Sequence, residues 1–159
     1  TLKELNRGHS LAEFIDAVNR AKTYDLKTCA HMITDLPMDT LEDVVEGAKI
    51  LSALRVDQVK CHSLYILKQT KMGEMFQQGL LQPASMETFI ERTITFLEYL
   101  SPQIVIQRLI GRAPEERSLF CSWDTSWWKV VELIEQKMTR DRRYQGKLFH
   151  YLNGAVCAR

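Results

Sequence analysis

Along this chain, stretches whose apolar residues have the spacing of a helix alternate with stretches whose apolar residues have the spacing of a strand. Apolar residues recur every three or four positions over residues 11 to 24, which predicts a first helix. Ser10 and Glu13 have the spacing of a capping box, which marks the start of that helix. Residues 27 to 34 then predict a buried strand, since both of its faces are largely apolar. Alternation places four residues on one face: Cys29, His31, Ile33 and Asp35.

The same alternation continues through the rest of the chain. A second helix is predicted to follow Thr40 or Asp39, and residues 56 to 67 predict one return strand, which completes a βαβ unit. Further predicted segments are a short helix to about Gln78, a longer helix that follows Pro83 and stops near Ser101, a strand from Ile104 to Ile110, and a last helix marked by apolar residues between Trp127 and Met138. Strands alternating with helices predict an α/β fold with a parallel sheet. Three strands are too few for a closed eight-stranded barrel and enough for part of one.

Composition agrees with one soluble domain. The chain has 159 residues, of which 45% are hydrophobic and 26% charged, and its net charge of +1 gives no overall reason to expect nucleic acid. No apolar run approaches the roughly 20 residues that cross a bilayer, so we expect a cytoplasmic protein without membrane contact. Because the sequence begins with Thr rather than Met, we expect it to be a piece of something longer.

The four cysteines are Cys29, Cys61, Cys121 and Cys157. No two have the close spacing of a zinc or iron–sulfur motif, so the sequence predicts no metal site. Cys29 and Cys61 fall in predicted strands, where a free thiol is expected to be a small buried hydrophobic group.

Polar side chains interrupt all three predicted strands near their carboxyl ends, where parallel α/β sheets bind ligands. They are His31 and Asp35 in the first strand, Lys60, His62 and Ser63 in the second, and Gln107 and Arg108 in the third. Each residue taken alone is consistent with a structural polar group, but together they predict that this edge of the sheet faces a ligand. Ser63 has no evident base, because His62 leaves the opposite face of a regular strand.

Two other features have competing interpretations. The run from Asn6 to His9 precedes a helix start, so it either binds an anion or forms an ordinary turn. A basic run near the end predicts a solvated tail, with phosphate contact as the alternative. It consists of Lys137, Arg140, Arg142, Arg143 and Lys147. Trp127 is expected to anchor the last helix to the sheet rather than to stack on bases.

Four segments together resemble one known family. They are residues 1–9, 31–37, 60–70 and 107–114, and the resemblance runs from residue 1 to about residue 140. They are similar to radical S-adenosylmethionine proteins, especially an uncharacterised bacterial group resembling the catalytic subunit of Elongator, and more distantly to oxygen-independent coproporphyrinogen enzymes. The resemblance implies that residues 1–144 are the C-terminal half of a (β/α)6 partial barrel, followed by a tail over residues 145–159.

The family pattern also implies roles for particular residues. S-adenosylmethionine would be contacted by His31 at the ribose, by Ile33 at the adenine, by Asp35 in the following loop and by Tyr65 on the next strand. Lys60, His62 and Arg108 would face the barrel interior, towards the substrate or the carboxylate of the cofactor. Many relatives have Gly, Gly and Glu where this chain has Asp35, Met38 and Asp39. A [4Fe–4S] cluster is implied for the parent protein, and its ligands are not in this chain.

The expected function is therefore that of half an enzyme. The parent would be an iron–sulfur oxidoreductase that cleaves the cofactor reductively to a deoxyadenosyl radical, and these residues alone would be inert. Its substrate would be a small molecule or a tRNA, and an exposed sheet edge predicts a homo-oligomer. The alternative is a non-catalytic α/β module that binds RNA or a protein partner.

Overall fold

A computed structural model describes residues 5–111 and 115–151. Ten helices and strands follow one another in these ranges: α1 Leu11–Thr23, β1 Cys29–Ile33, α2 Leu41–Ala53, β2 Gln58–His62, β3 Ile66–Leu67, α3 Lys71–Gln77, α4 Met86–Tyr99, β4 Val105–Arg108, β5 Ser118–Phe120 and α5 Trp127–Arg140.

Local hydrogen bonds fix where the first helices begin. The Ser10 backbone N–H donates to the Glu13 carboxylate at 2.6 Å, and the Glu13 N–H donates to the Ser10 hydroxyl at 3.3 Å. The same reciprocal pair joins Thr40 and Asp43 at the start of α2. These capping boxes satisfy backbone donors that the helix leaves unpaired. The predicted box at Ser10 is confirmed, and Thr40 rather than Asp39 caps α2.

The main sheet is parallel and has the strand order β1, β2, β4. Five consecutive pairs join β1 to β2, from Cys29 with Gln58 to Ile33 with His62. Helices connect the strands, which confirms the predicted α/β class with a parallel sheet. Within the described residues, no strand pairs with the outer edge of β1.

The prediction of one strand over residues 56–67 is wrong. Pairing in the parallel sheet ends at His62, and Ile66 and Leu67 form β3, which pairs antiparallel with β5. The chain leaves the sheet because the Leu64 N–H donates to the buried carboxylate of Asp35 at 2.8 Å, instead of continuing the strand pairing. The first and third strands are likewise shorter than predicted.

The largest hydrophobic core cluster lies on one side of the sheet. Val59 and Cys61 of β2 point into it together with Ala30 of β1, and α1, α2 and α4 cover them. Burial raises the pKa of the Cys61 thiol to about 12, so the prediction of an inert buried thiol is confirmed there. The same prediction is wrong for Cys29, which is exposed because it alternates onto the opposite, uncovered face.

The basic run near the end of the chain is not a solvated tail. The Arg143 side chain is only 14% exposed and donates to Glu91 at 2.5 Å, to Glu98 at 2.7 Å and to Thr95 at 3.0 Å. Three of the other basic residues contact acidic neighbours: Lys137 contacts Glu91 and Asp141, Arg140 contacts Asp141, and Lys147 contacts Glu98. Carboxylates on α4 and at the end of α5 thus neutralise most of this charge.

Residues 145–151 lie against the same helix. The Gly146 and Leu148 N–H groups donate to the Leu97 and Glu98 carbonyls of α4 at 3.0 and 2.9 Å. The Tyr151 hydroxyl donates to the Tyr99 carbonyl at 2.6 Å. The described part of the predicted tail therefore packs on the domain.

The aromatic residue that anchors the segment before α5 is Trp123, not Trp127. The Trp123 indole N–H donates to the Ala84 carbonyl at 2.7 Å, and its ring contacts Phe89 and Phe120. Trp127 is 40% exposed at the first turn of α5.

None of the helices in residues 5–111 and 115–151 has the length and apolar character of a membrane span.

Candidate functional site

A cleft of about 790 Å³ lies at the carboxyl ends of β1 and β2. Its volume is within the range of small-molecule sites. One wall comes from the two strands and the segment after β2, and the others come from α2 and from the residues before α1. The lining includes His31, Ile33, His62, Leu64, Tyr65 and Arg7.

Three of the candidate residues lie side by side across the sheet. His31 of β1 is the register partner of Lys60 of β2, and Lys60 is the partner of Arg108 of β4. A shift in the pairing after Val59 brings Arg108, rather than Gln107, opposite Lys60. Gln107 instead contacts Gln58 through their side-chain amides. The parallel register thus assembles a row of basic side chains on the uncovered face of the sheet.

His62 lies one step further toward the carboxyl ends and connects this row. Its ring stacks on that of His31, with the ring centroids 5.1 Å apart, and its Nε2 lies 3.1 Å from His31 Nδ1. Arg108 Nη2 lies 3.1 Å from the same Nε2. A guanidinium has donors only, so this contact requires a nitrogen lone pair, which only a neutral imidazole supplies.

Electrostatics favour the same neutral state. Burial, followed by the charge of Arg108, the His31 ring and the charge of Lys60, lowers the pKa of His62 to about 4. Burial and the positive charges of Lys60, Arg108 and Arg7 lower the pKa of His31 as well. Both rings are therefore uncharged at neutral pH, and each supplies one donor and one acceptor to the face.

Gly111, just beyond the predicted third strand, is a site residue that the sequence analysis did not identify. A Cβ at this position would lie 2.6 Å from His62 Nδ1, well inside contact distance. The missing side chain lets the backbone approach the imidazole closely, which keeps His62 against His31 and Arg108. A glycine shortly after a basic strand residue was the only sequence signal available.

We expect Gly111→Ala to displace the His62 ring while leaving the fold intact, because the added methyl clashes with a side chain at the sheet face and not with the core. The imidazole ¹H–¹⁵N NMR signals of His62 should shift in the variant, and those of His150 should not. Unchanged His62 signals would contradict this role for Gly111.

Asp35 does not share the uncovered face with His31 and Ile33. It lies beyond the end of β1 and is fully buried, where its Oδ1 accepts the Leu64 N–H. Its Oδ2 has no hydrogen-bond partner among the described residues. Burial raises its pKa to about 6, although the Leu64 N–H and the nearby charge of Arg92 oppose the shift. Asp35 therefore shapes the loop under the cleft.

The other candidate residues have separate positions. Ser63 lines the cleft but is only 3% exposed, which does not favour a nucleophile. Ile33 is partly buried, and Tyr65 is 39% exposed at the cleft rim. In the run from Asn6 to His9, Arg7 lines the cleft, while the helix start that follows is capped by Ser10 and Glu13.

The described residues do not supply a metal cluster site. No group of three or more His, Cys, Asp or Glu side chains in these ranges is arranged to hold a metal ion. Cys29 is exposed, Cys61 is buried and Cys121 is partly buried, each on a different element. The described part of the chain therefore does not fit a [4Fe–4S] cluster, whereas the cleft has room for a nucleoside.

A parallel sheet with helices on one side and a cleft at the carboxyl ends of its strands defines the class of fold, a section of an α/β barrel. The Radical_SAM C-terminal domain family matches residues 56–140, more than half of the chain. The chain belongs to this radical S-adenosylmethionine family, as its sequence predicted.

Relatives and a solved structure agree with this assignment. The uncharacterised protein MJ0486 of Methanocaldococcus jannaschii is 33% identical over 94% of this chain and 47% of its own length. The uncharacterised protein YtqA of Bacillus subtilis is 28% identical over 93% of this chain and 46% of its own length. A structure of Methanocaldococcus infernus Elp3 with an N-terminal deletion has a TM-score of 0.79 at 21% identity, over 91% of this chain and 34% of that one.

These matches confirm the predicted similarity to Elongator proteins and to uncharacterised relatives. The chain spans about half the length of the curated relatives it matches. Family membership implies S-adenosylmethionine and a [4Fe–4S] cluster in a parent protein.

Proposed function

We propose that this chain supplies the adenosine-binding and substrate-facing half of a radical S-adenosylmethionine oxidoreductase. The observation behind the proposal is the cleft at the ends of β1 and β2, whose lining includes His31, Ile33 and Tyr65 in a chain of this family. Together with a reduced iron–sulfur cluster, S-adenosylmethionine supplies this family with reductive cleavage and hydrogen abstraction from a substrate. The cluster would come from residues outside this chain.

Residues of this chain position the nucleoside and line the space beside it. His31 has a neutral ring at the cleft, suited to hydrogen bonding with ribose hydroxyls. Ile33 and Leu64 offer an apolar surface for a purine, and Tyr65 lies at the rim. Lys60, His62 and Arg108 stand beside these residues on the uncovered face, where a substrate would be held.

The free outer edge of β1 supports the idea of a half barrel. Parallel strands satisfy their backbone groups through neighbours on both sides, and β1 has one such neighbour, β2, among the described residues. We infer that a further strand of a longer protein pairs there. The alternative of an RNA-binding module receives no support from the basic run, because Glu91, Glu98 and Asp141 pair with most of it.

Binding of a nucleoside tests the first half of this proposal. We expect 5′-methylthioadenosine to bind this chain weakly and His31→Ala to weaken it about fivefold, the value of one hydrogen bond. Ligand-observed NMR measures both affinities. His150→Ala is the matched control, because His150 lies in the segment packed on α4, and it should leave the affinity unchanged. Equal weakening by both substitutions would contradict the assignment of His31.

Cofactor cleavage tests the second half. A longer parent protein that carries the cluster ligands, reconstituted anaerobically with iron and sulfide, should form 5′-deoxyadenosine from S-adenosylmethionine under reduction. The 159-residue chain alone should not. A fully reconstituted cluster protein that leaves the cofactor intact would contradict the oxidoreductase proposal.

A further inference from the structure

The uncovered face of the sheet combines positive charge with an absence of acidic strand residues. Lys60 and Arg108 are register partners on neighbouring strands, and His31 continues their row. The other described strand residues that share or border this face are uncharged: Cys29, Ile33, Gln58, His62, Val105 and Gln107. Neighbouring strands are about 4.8 Å apart, so the backbones of Lys60 and Arg108 are close together, and no described strand residue beside them on this face carries a carboxylate.

The cations of this face differ from several others in the described part of the chain, which have a carboxylate partner. Lys27, Lys49, Lys129, Lys137 and Arg143 each lie within 4 Å of a carboxylate. No such pair involves Lys60 or Arg108 and another described residue; instead, Arg108 contacts the His62 ring. Asp35, the acidic residue nearest in sequence to the end of β1, is turned away into the interior beneath the cleft.

The two imidazoles hold the row in place without adding charge. His62 is fixed by His31, Arg108 and the close backbone of Gly111, so its ring is preorganised at the end of the row. Arg108 uses one terminal nitrogen on His62 and retains further donors in a planar fork, which suits an oxyanion. If a second half of a barrel encloses this face, two desolvated cations need an anionic partner.

We propose that Lys60 and Arg108 bind an oxyanionic group of the substrate, a carboxylate or a phosphate, and that His62 positions Arg108. That the anion belongs to a substrate rests on the proposed function, whereas the arrangement of these side chains follows from the sheet alone. The methionyl carboxylate of S-adenosylmethionine is the other source of the same chemistry, so the experiment must separate the two.

Inorganic phosphate and succinate are the probes, titrated into this chain by calorimetry in a buffer of low ionic strength. We expect Lys60→Gln and Arg108→Gln each to weaken binding of at least one probe tenfold or more, as for the loss of a charge-assisted hydrogen bond. Arg108→Lys should recover part of the loss. Lys27→Gln and Arg55→Gln, at the opposite end of the sheet, are the matched controls and should leave the affinity unchanged.

The outcomes separate this inference from the proposed function. Equal affinity in all variants, or equal losses in the controls, would overturn the oxyanion site. If phosphate still binds when 5′-methylthioadenosine saturates the chain, the anion has its own place beside the nucleoside, which supports a substrate group. If S-adenosylmethionine excludes phosphate and 5′-methylthioadenosine does not, the cations bind the cofactor carboxylate, and the substrate inference fails while the proposed function stands. Phosphate binding without any nucleoside binding would contradict the proposed function and leave the oxyanion site supported.

Discussion

Arg143→Met is expected to lower the free energy of unfolding by about 3 kcal/mol or more, which is the cost of leaving a buried carboxylate without its partner. The side chain of Glu98 is only 7% exposed and receives its closest hydrogen bond from Arg143. Methionine keeps the length of the side chain and removes the charge. Denaturant unfolding followed by circular dichroism measures the difference.

Two further variants make this result specific. Arg140→Met removes a basic residue whose side chain is 71% exposed, and it should cost less than about 0.5 kcal/mol. Combining Arg143→Met with Glu98→Gln removes the stranded charge and should recover a large part of the loss. A double variant as unstable as Arg143→Met would show that packing rather than charge explains the effect.

Asp35→Asn is expected to stabilise the protein relative to wild type as the pH rises. Burial raises the pKa of Asp35 from 3.8 to about 6, so the folded state prefers the neutral carboxyl. The stability from this preference is fully present below pH 3.8 and is lost as the pH rises through 6. The shift corresponds to about 3 kcal/mol, which the wild type should lose relative to Asp35→Asn between pH 4 and pH 7.

Unfolding curves of both proteins at several pH values test this expectation. The asparagine can still accept the Leu64 N–H through its carbonyl oxygen, so the loop after β2 should keep its path. Asp16→Asn, on the exposed surface of α1, is the control and should show no such trend. A wild-type protein that gains stability relative to Asp35→Asn as the pH rises would mean that the carboxylate is stabilised in its charged form.

Interactions between residues close in sequence could be predicted, and distant ones could not. The capping boxes at Ser10 and Thr40 involve residues three apart, so the helix starts followed from the sequence. The end of β2 depends on Asp35, which lies 29 residues before Leu64, and no local pattern reveals that bond. Arg143 was placed in solvent for the same reason, since its partners lie on α4, far back in the chain.

The candidate site shows the same division. Alternation along β1 correctly placed Cys29, His31 and Ile33 on one face, because strand geometry fixes which residues point the same way, and it wrongly extended that face to Asp35 beyond the strand end. The partnership of Lys60 with Arg108 depends on a register shift after Val59, which sequence does not specify. The fit of Gly111 against His62 depends on the end of β2 meeting the segment after β4.

Alternation along β2 has a consequence for how this kind of domain evolves. Val59 and Cys61 belong to the core, whereas Gln58, Lys60 and His62 contribute almost nothing to it. Under the proposed function, substitutions at Lys60 and His62 would change recognition with little penalty in folding, and substitutions at Val59 and Cys61 would do the reverse. A lineage with this scaffold would then exchange one substrate for another by replacing outward residues, while the inward ones preserve the hydrophobic core.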